Sequence, residues 1–181
     1  MVPVVSACAQ QAAAPAKPLQ IEPNSPAKVS SSAPIPDTSM NGITRAAANA
    51  GVRTCLERIE KVSNFIVKNT QSKFVMSLPP ADVDRQIASA SFEAQLPNKA
   101  IAYATMTTAP TTDGGCDALY ETVAYWDSSC ADIAKKGFPG TKSLGVLQQH
   151  IIVLEGNNNL KIFLMPAGPQ GCVAIKKEIV Y

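Results

Sequence analysis

The chain reads as α+β: a mainly antiparallel sheet of about five to seven strands, packed against one long N-terminal helix and a second short helix, and tied by disulfides. Three observations predict this. Apolar residues recur at spacings of three and four between residues 41 and 68, as on one face of a helix. From residue 73 onward the period shortens to two, the mark of half-buried strands. Cys55, Cys116, Cys130 and Cys172 all fall inside these periodic segments. One long helix followed by strands, with a single helical interruption, argues for an antiparallel sheet with the long helix on one face.

The first element is a tether, residues 9–40. Prolines at 15, 18, 23, 26, 34 and 36, interleaved with Ala, Ser and Lys, prevent a continuous helix and leave almost nothing to bury. At roughly 3 Å per residue, such a stalk could hold a domain up to about 90 Å from its origin. The globular domain is expected over residues 41–181. Its helix, from Asn41 to Lys68, carries Val52, Cys55, Leu56, Ile59, Val62 and Ile66 on one stripe. Glu57 precedes Lys61 by four residues, the favourable order for an ion pair along a helix.

Strands are expected at 73–78, 86–95, 99–109, 118–126, 146–155, 160–166 and 172–181. Pro79-Pro80 and Leu96-Pro97-Asn98 punctuate the early ones. Gly156-Asn157-Asn158-Asn159 predicts a hairpin, because Gly and Asn tolerate positive φ. A short helix is expected from Ser128 to Lys136, capped by Asp127 or Ser128 and ended by Gly137. Two segments share an order of events: strand, proline, glycine-containing loop, Gly-Cys, then a strand ending in Tyr125 or Tyr181. The residues of these loops, Pro110, Asp113, Gly114 and Gly115 with Pro166, Gly168, Pro169 and Gly171, are candidate contacts forming a rim at one end of the sheet.

At 181 residues, 46% of them hydrophobic, the chain can build the core of one ordinary domain. Net charge is +2 with only 17% charged residues, so no basic stripe serves nucleic acid. No run of 18 or more apolar residues occurs, so any membrane attachment has to come from the N-terminus. Five cysteines leave one unpaired in a compartment that forms disulfides. Val5-Ser6-Ala7-Cys8 resembles the lipobox of bacterial lipoproteins, with residues 1–8 as residual signal. That resemblance implies a lipid on Cys8, and Ala9 behind it implies the outer membrane. An ordinary signal-peptidase site, cleaving Ala7-Cys8-Ala9 before Gln10, is the other export reading. Either removes Cys8 from the count and leaves an even number. The favoured pairs are Cys55 with Cys116 and Cys130 with Cys172, since each ties a helix to a strand. A bridge closing a loop of this length contributes on the order of 4 kcal/mol.

No catalytic constellation emerges. His150 is the sole histidine, expected half-buried on the strand 146–155, and no HxxE, HxH or CxxC accompanies it, so neither metal nor cofactor is expected. Asp82 and Asp84 form a D-x-D without a calcium-loop glycine, which reads as a solvated loop. Asp113-Gly114-Gly115 reads as a turn rather than a phosphate cradle. Cys130, in the first turn of a helix, is the one cysteine placed for reactivity, but a disulfide is favoured. Tyr103, Tyr120, Tyr125 and Trp126 read as core or cross-strand pairs. The expectation is an exported, lipid-anchored, periplasmic module that binds an envelope or secreted protein as assembly factor, complex subunit or inhibitor. The alternatives are a carrier holding a small ligand or lipid between sheet and helix, and a hydrolase using His150.

Overall fold

The computed structural model of the chain describes residues 40–67, 73–96 and 99–181, all within one compact unit, Pro34–Tyr181. Cys8 and the tether up to residue 39 lie outside the described residues. Three helices, α1 (Gly42–Asn49), α2 (Leu56–Val67) and α3 (Cys130–Lys136), accompany eight strands. These are β1 (Phe74–Ser77), β2 (Ala88–Gln95), β3 (Ile101–Pro110), β4 (Cys116–Trp126), β5 (Lys142–Leu147), β6 (Ile151–Glu155), β7 (Lys161–Ala167) and β8 (Gly171–Val180). They form one sheet in the order β1-β2-β3-β4-β8-β7-β6-β5, antiparallel at every pairing. The α+β class and the antiparallel sheet are as expected; the helix and strand counts are not.

The single long helix expected from Asn41 is two helices, broken at Gly51, whose φ of +101° suits glycine and few other residues. The Gly51 and Val52 amides bond back to the carbonyls of Ala48 and Ala47, ending α1. The apolar stripe nevertheless continues across the break, with Val52, Cys55, Ile59 and Val62 all buried. Asn41 starts α1: its carboxamide oxygen accepts the Thr44 amide at 3.0 Å, and its nitrogen donates to Ser63 and Asn64 of α2. Asp84 organises the restart, accepting the amides of Arg53 and Thr54 and the Thr54 hydroxyl. Asp82 and Asp84 lie in an exposed loop as expected, and within it the Asp84 carboxylate also serves as an anchor.

The strand expected over 146–155 is a hairpin. Gln148, at φ +51°, begins a turn over residues 148–150, so β5 ends at Leu147 and β6 starts at Ile151. This split makes eight strands where at most seven were expected. The short helix is capped by Ser129, one residue after the expected position, through an Oγ that accepts the Asp132 amide. Gly156 and Leu160 close the hairpin between β6 and β7 as the Gly-Asn run predicts, with Asn158 and Asn159 both at positive φ.

All three helices lie on one side. Ile43, Ala47, Ile59 and Val62 pack with Ala90, Phe92, Ala104 and Met106, while Cys130 and Ile133 pack with Ile162, Leu164 and Ala174. Each buried large aliphatic contributes about 1.5–3 kcal/mol of transfer free energy. The sheet meets the helices mainly through alanines at 88, 90, 94, 102, 104, 118, 124 and 174, all buried, which let helix backbones approach closely. The disulfides are Cys55–Cys116 and Cys130–Cys172. Each joins the N-terminal end of a helix to the first or second residue of a strand.

These bonds expose an internal duplication. α2 followed by the meander β1–β4 has its counterpart in α3 followed by the meander β5–β8. In each half a cysteine at the helix start bonds a cysteine at the start of the fourth strand. The two fourth strands, β4 and β8, pair antiparallel at the centre, so the halves are related by an approximate two-fold. The two similar Gly-Cys segments stand at equivalent places in the two halves.

Candidate interaction surface

Strand alternation sends every second side chain away from the helices. Among the described residues no element covers that open face. Because pairing is in register, its side chains line up in rows across strands. One row runs Tyr103, Val123, Ile175, Phe163, Val153 over β3, β4, β8, β7 and β6. A second, beside it, holds Tyr125, Val173 and Met165. On the other side follows a charged row, in which Glu121 bridges Lys177 at 3.5 Å and Glu155 bridges Lys161 at 2.6 Å. Leu119 and Ile179 pair beyond it. On β3, β4 and β8 the covered side is therefore rich in alanine, broken by Met106, Tyr120 and Trp126, while Tyr, Val and Ile take the uncovered side.

Tyr103 is 53% exposed and Tyr125 58%; of the core or cross-strand positions expected, they take cross-strand ones, since the even-numbered residues of β3 and β4 face the helices and both tyrosines are odd-numbered. Ser91 shares a hydrogen bond with the Tyr103 hydroxyl at 2.9 Å, fixing that ring. A shallow depression of about 400 Å³ lies at the β1–β3 end of the sheet, lined by Val75, Ile101 and Tyr103 with Lys73 and Glu93 at its sides. Tyr125 lies across Gly171, the only residue whose size admits it: a β-carbon there would stand 2.5 Å from the tyrosine hydroxyl.

The two candidate contact loops do not form one rim. Pro110 pairs with Cys116 and Pro166 with Cys172, each at the start of its fourth strand. Since those strands are antiparallel, Cys172 lies beside Trp126 whereas Cys116 lies at the far end, near Val180. Eleven residues of β4 separate the loops by about 30 Å. The loop at Asp113, Gly114 and Gly115 is a turn, with Asp113 accepting hydrogen bonds from Thr111 and Gly115. The Thr111 hydroxyl, then the Gly115 amide, hold its carboxyl below the usual carboxylate range. Gly168, with φ +69°, and Pro169 turn the opposite loop.

His150 is exposed in the β5–β6 turn, not on a strand face. Cys130 is in a disulfide. Among the described residues no three His, Cys, Asp or Glu side chains converge as for a metal, and no helix is long and apolar enough to cross a membrane. The space between α2 and the sheet is filled by Ile59, Val62, Met106 and Phe92, each at most 4% exposed, where a carried ligand would have to lie.

One polar pair sits on the helix side, where the halves join; Tyr120 is there the buried cross-strand residue expected, and its partner Glu178 is the residue that sequence reasoning passed over. Tyr120 of β4 donates a hydrogen bond to Glu178 of β8. The Lys176 ammonium lies 5.4 Å from the Phe65 ring centre and 5.5 Å from that of Tyr120. Burial, reinforced by the Glu178 carboxylate, pushes the Tyr120 phenol far above its ordinary range, so it keeps its proton and acts as a donor. The group fastens β4 to β8 and to α2. No protein-family model, curated protein or solved structure matches the chain.

Proposed function

We propose that the chain is an exported protein of the cell envelope, lipid-anchored through Cys8 and held at the periplasmic side of the outer membrane. In this reading it works as a non-enzymatic module that binds an envelope or secreted protein through the open face of its sheet. One observation carries it: a contiguous apolar surface, rich in Tyr, Val, Ile and Met, on the uncovered face of a sheet whose other face is packed against the helices over its central strands. Soluble proteins rarely expose such a patch without a partner for it. Exposed tyrosines beside aliphatics, bordered by paired charges, are the composition of a protein-contact surface. Two disulfides in a domain of this size fit an oxidising compartment, in agreement with export.

The test is affinity capture from envelope extracts with the immobilised chain and its Tyr103→Glu/Tyr125→Glu variant. Both residues are more than half exposed, so the variant keeps its fold. A stoichiometric partner held by the parent chain and lost by the variant is expected. Identical capture by both would sink the reading. Incorporation of a fatty-acid analogue, abolished by Cys8→Ser, tests the anchor separately.

A further inference from the structure

The approximate two-fold passes between Glu121 and Lys177, which occupy equivalent places in the two halves and pair with each other across β4 and β8. On the open face this seam carries, in successive rows, Tyr125 with Val173, Val123 with Ile175, Glu121 with Lys177, and Leu119 with Ile179. Three apolar pairs thus flank one ion pair whose side chains remain accessible, 29% for Glu121 and 44% for Lys177.

Such a seam is complementary to itself. Consider a second copy turned about an axis lying in the interface and parallel to the seam. β4 of one copy then faces β8 of the other, and each row faces the same row. Val123 meets Ile175 of the second copy, and Tyr125 meets Val173. Glu121 meets Lys177 twice, closing a ring of two carboxylates and two ammonium groups in which like charges stand only on the diagonals. An axis running across the strands through this row would instead set Glu121 against Glu121, which is repulsive. Charge therefore selects one arrangement. Face-to-face sheets prefer nearly aligned strands about 10 Å apart, which this arrangement provides. A footprint five strands wide and four rows long spans about 24 by 27 Å. With side-chain relief this approaches the ~800 Å² per partner of a stable interface.

We propose that the partner on the open face is a second copy of this chain, docked sheet to sheet about the β4–β8 seam as an isologous dimer. The proposal rests on reading that face as a protein-contact surface.

Sedimentation of the full chain tests it, carrying Cys8→Ser so that no intermolecular disulfide imitates a dimer. The expected mass is twice the 19.1 kDa of one chain. Lys177→Glu gathers four carboxylates at the seam and Glu121→Lys four ammonium groups, so each variant runs as a monomer with unchanged circular dichroism. Mixed in equal amounts, the two restore opposite charges across the axis and sediment as a heterodimer. A parent chain monomeric at every concentration, variants that remain dimers alone, or variants that stay apart on mixing would each overturn the dimer. If the parent is monomeric while Tyr103→Glu/Tyr125→Glu still abolishes capture of a foreign protein, the contact surface stands and the second copy does not. If neither dimer nor tyrosine-dependent capture is found, both fall.

Discussion

Replacing Cys130 and Cys172 together by alanine removes the bond that fixes α3. The helix has seven residues, too few to persist alone in water. Its other attachments are Ile133, packed with Leu154, Ile162 and Leu164, and the flanking Phe138. The bond spans a sequence separation of 42 residues, and loop-closure entropy for that length is worth about 4 kcal/mol. For a domain of this size that corresponds to a fall of about 13 °C in the unfolding midpoint. Thermal unfolding under non-reducing conditions measures the total, and amide exchange measures where the loss falls. The Ile133 and Gly137 amides, which bond to Ser129 and Ile133 carbonyls, should lose protection. The Ile59 amide of α2 should keep its own relative to global unfolding. A loss below about 1 kcal/mol, or α3 amides still protected to the level of α2, would refute this account of α3.

Two further substitutions probe other parts. Asp84 feels burial, which raises its carboxyl, but the Arg53 and Thr54 amides outweigh this and hold it below the usual carboxylate range. A folded value below the unfolded one contributes stability that is present above about pH 4 and lost as pH falls through the folded value. Urea midpoints of the parent chain and Asp84→Asn should therefore differ at neutral pH and converge in acid; a gap independent of pH contradicts the anchor role. In Gly171→Ala the new β-carbon would meet the Ala167 carbonyl oxygen at 2.5 Å as well as the Tyr125 hydroxyl. Because one obstacle is backbone, the cost should reach about 1–3 kcal/mol by urea unfolding. The Gly115→Ala change meets no backbone atom, only the side chains of Thr111, at 2.9 Å, and Asp113, at 3.5 Å, and should cost less.

Periodicity revealed the elements more readily than their interruptions. The stripe Val52, Cys55, Ile59, Val62 is buried as the spacing demands, yet the same spacing runs on through Gly51, where the backbone turns. Hydrophobic spacing reports which face a residue takes and is blind to φ. Likewise Val146 to Glu155 looks continuous because Gln148 and His150 fit an alternating pattern, whereas the turn depends on the positive φ of Gln148. The contact surface was legible in principle: the first half of β8 reads Cys172, Ala174 on one face and Val173, Ile175 on the other, apolar on both sides before Lys176, Lys177 and Glu178 follow. A strand apolar on both sides demands two cover layers, and the chain folds only one from its described residues. The loops were placed together because similar segments invite the assumption of similar location, while antiparallel pairing of β4 with β8 sends them apart.

The disulfides have a consequence for how the chain is made. Each lies within one half, and none crosses the β4–β8 seam. With Cys8 taken up by lipid, as proposed, a chain growing from its N-terminus presents Cys55 and Cys116 before Cys130 exists, and the first pair can close before a competitor emerges. Joining the four remaining cysteines two by two in order of appearance then yields, of their three connectivities, the one the fold uses. A catalyst of oxidation would suffice for maturation, with no need to reshuffle bonds afterwards.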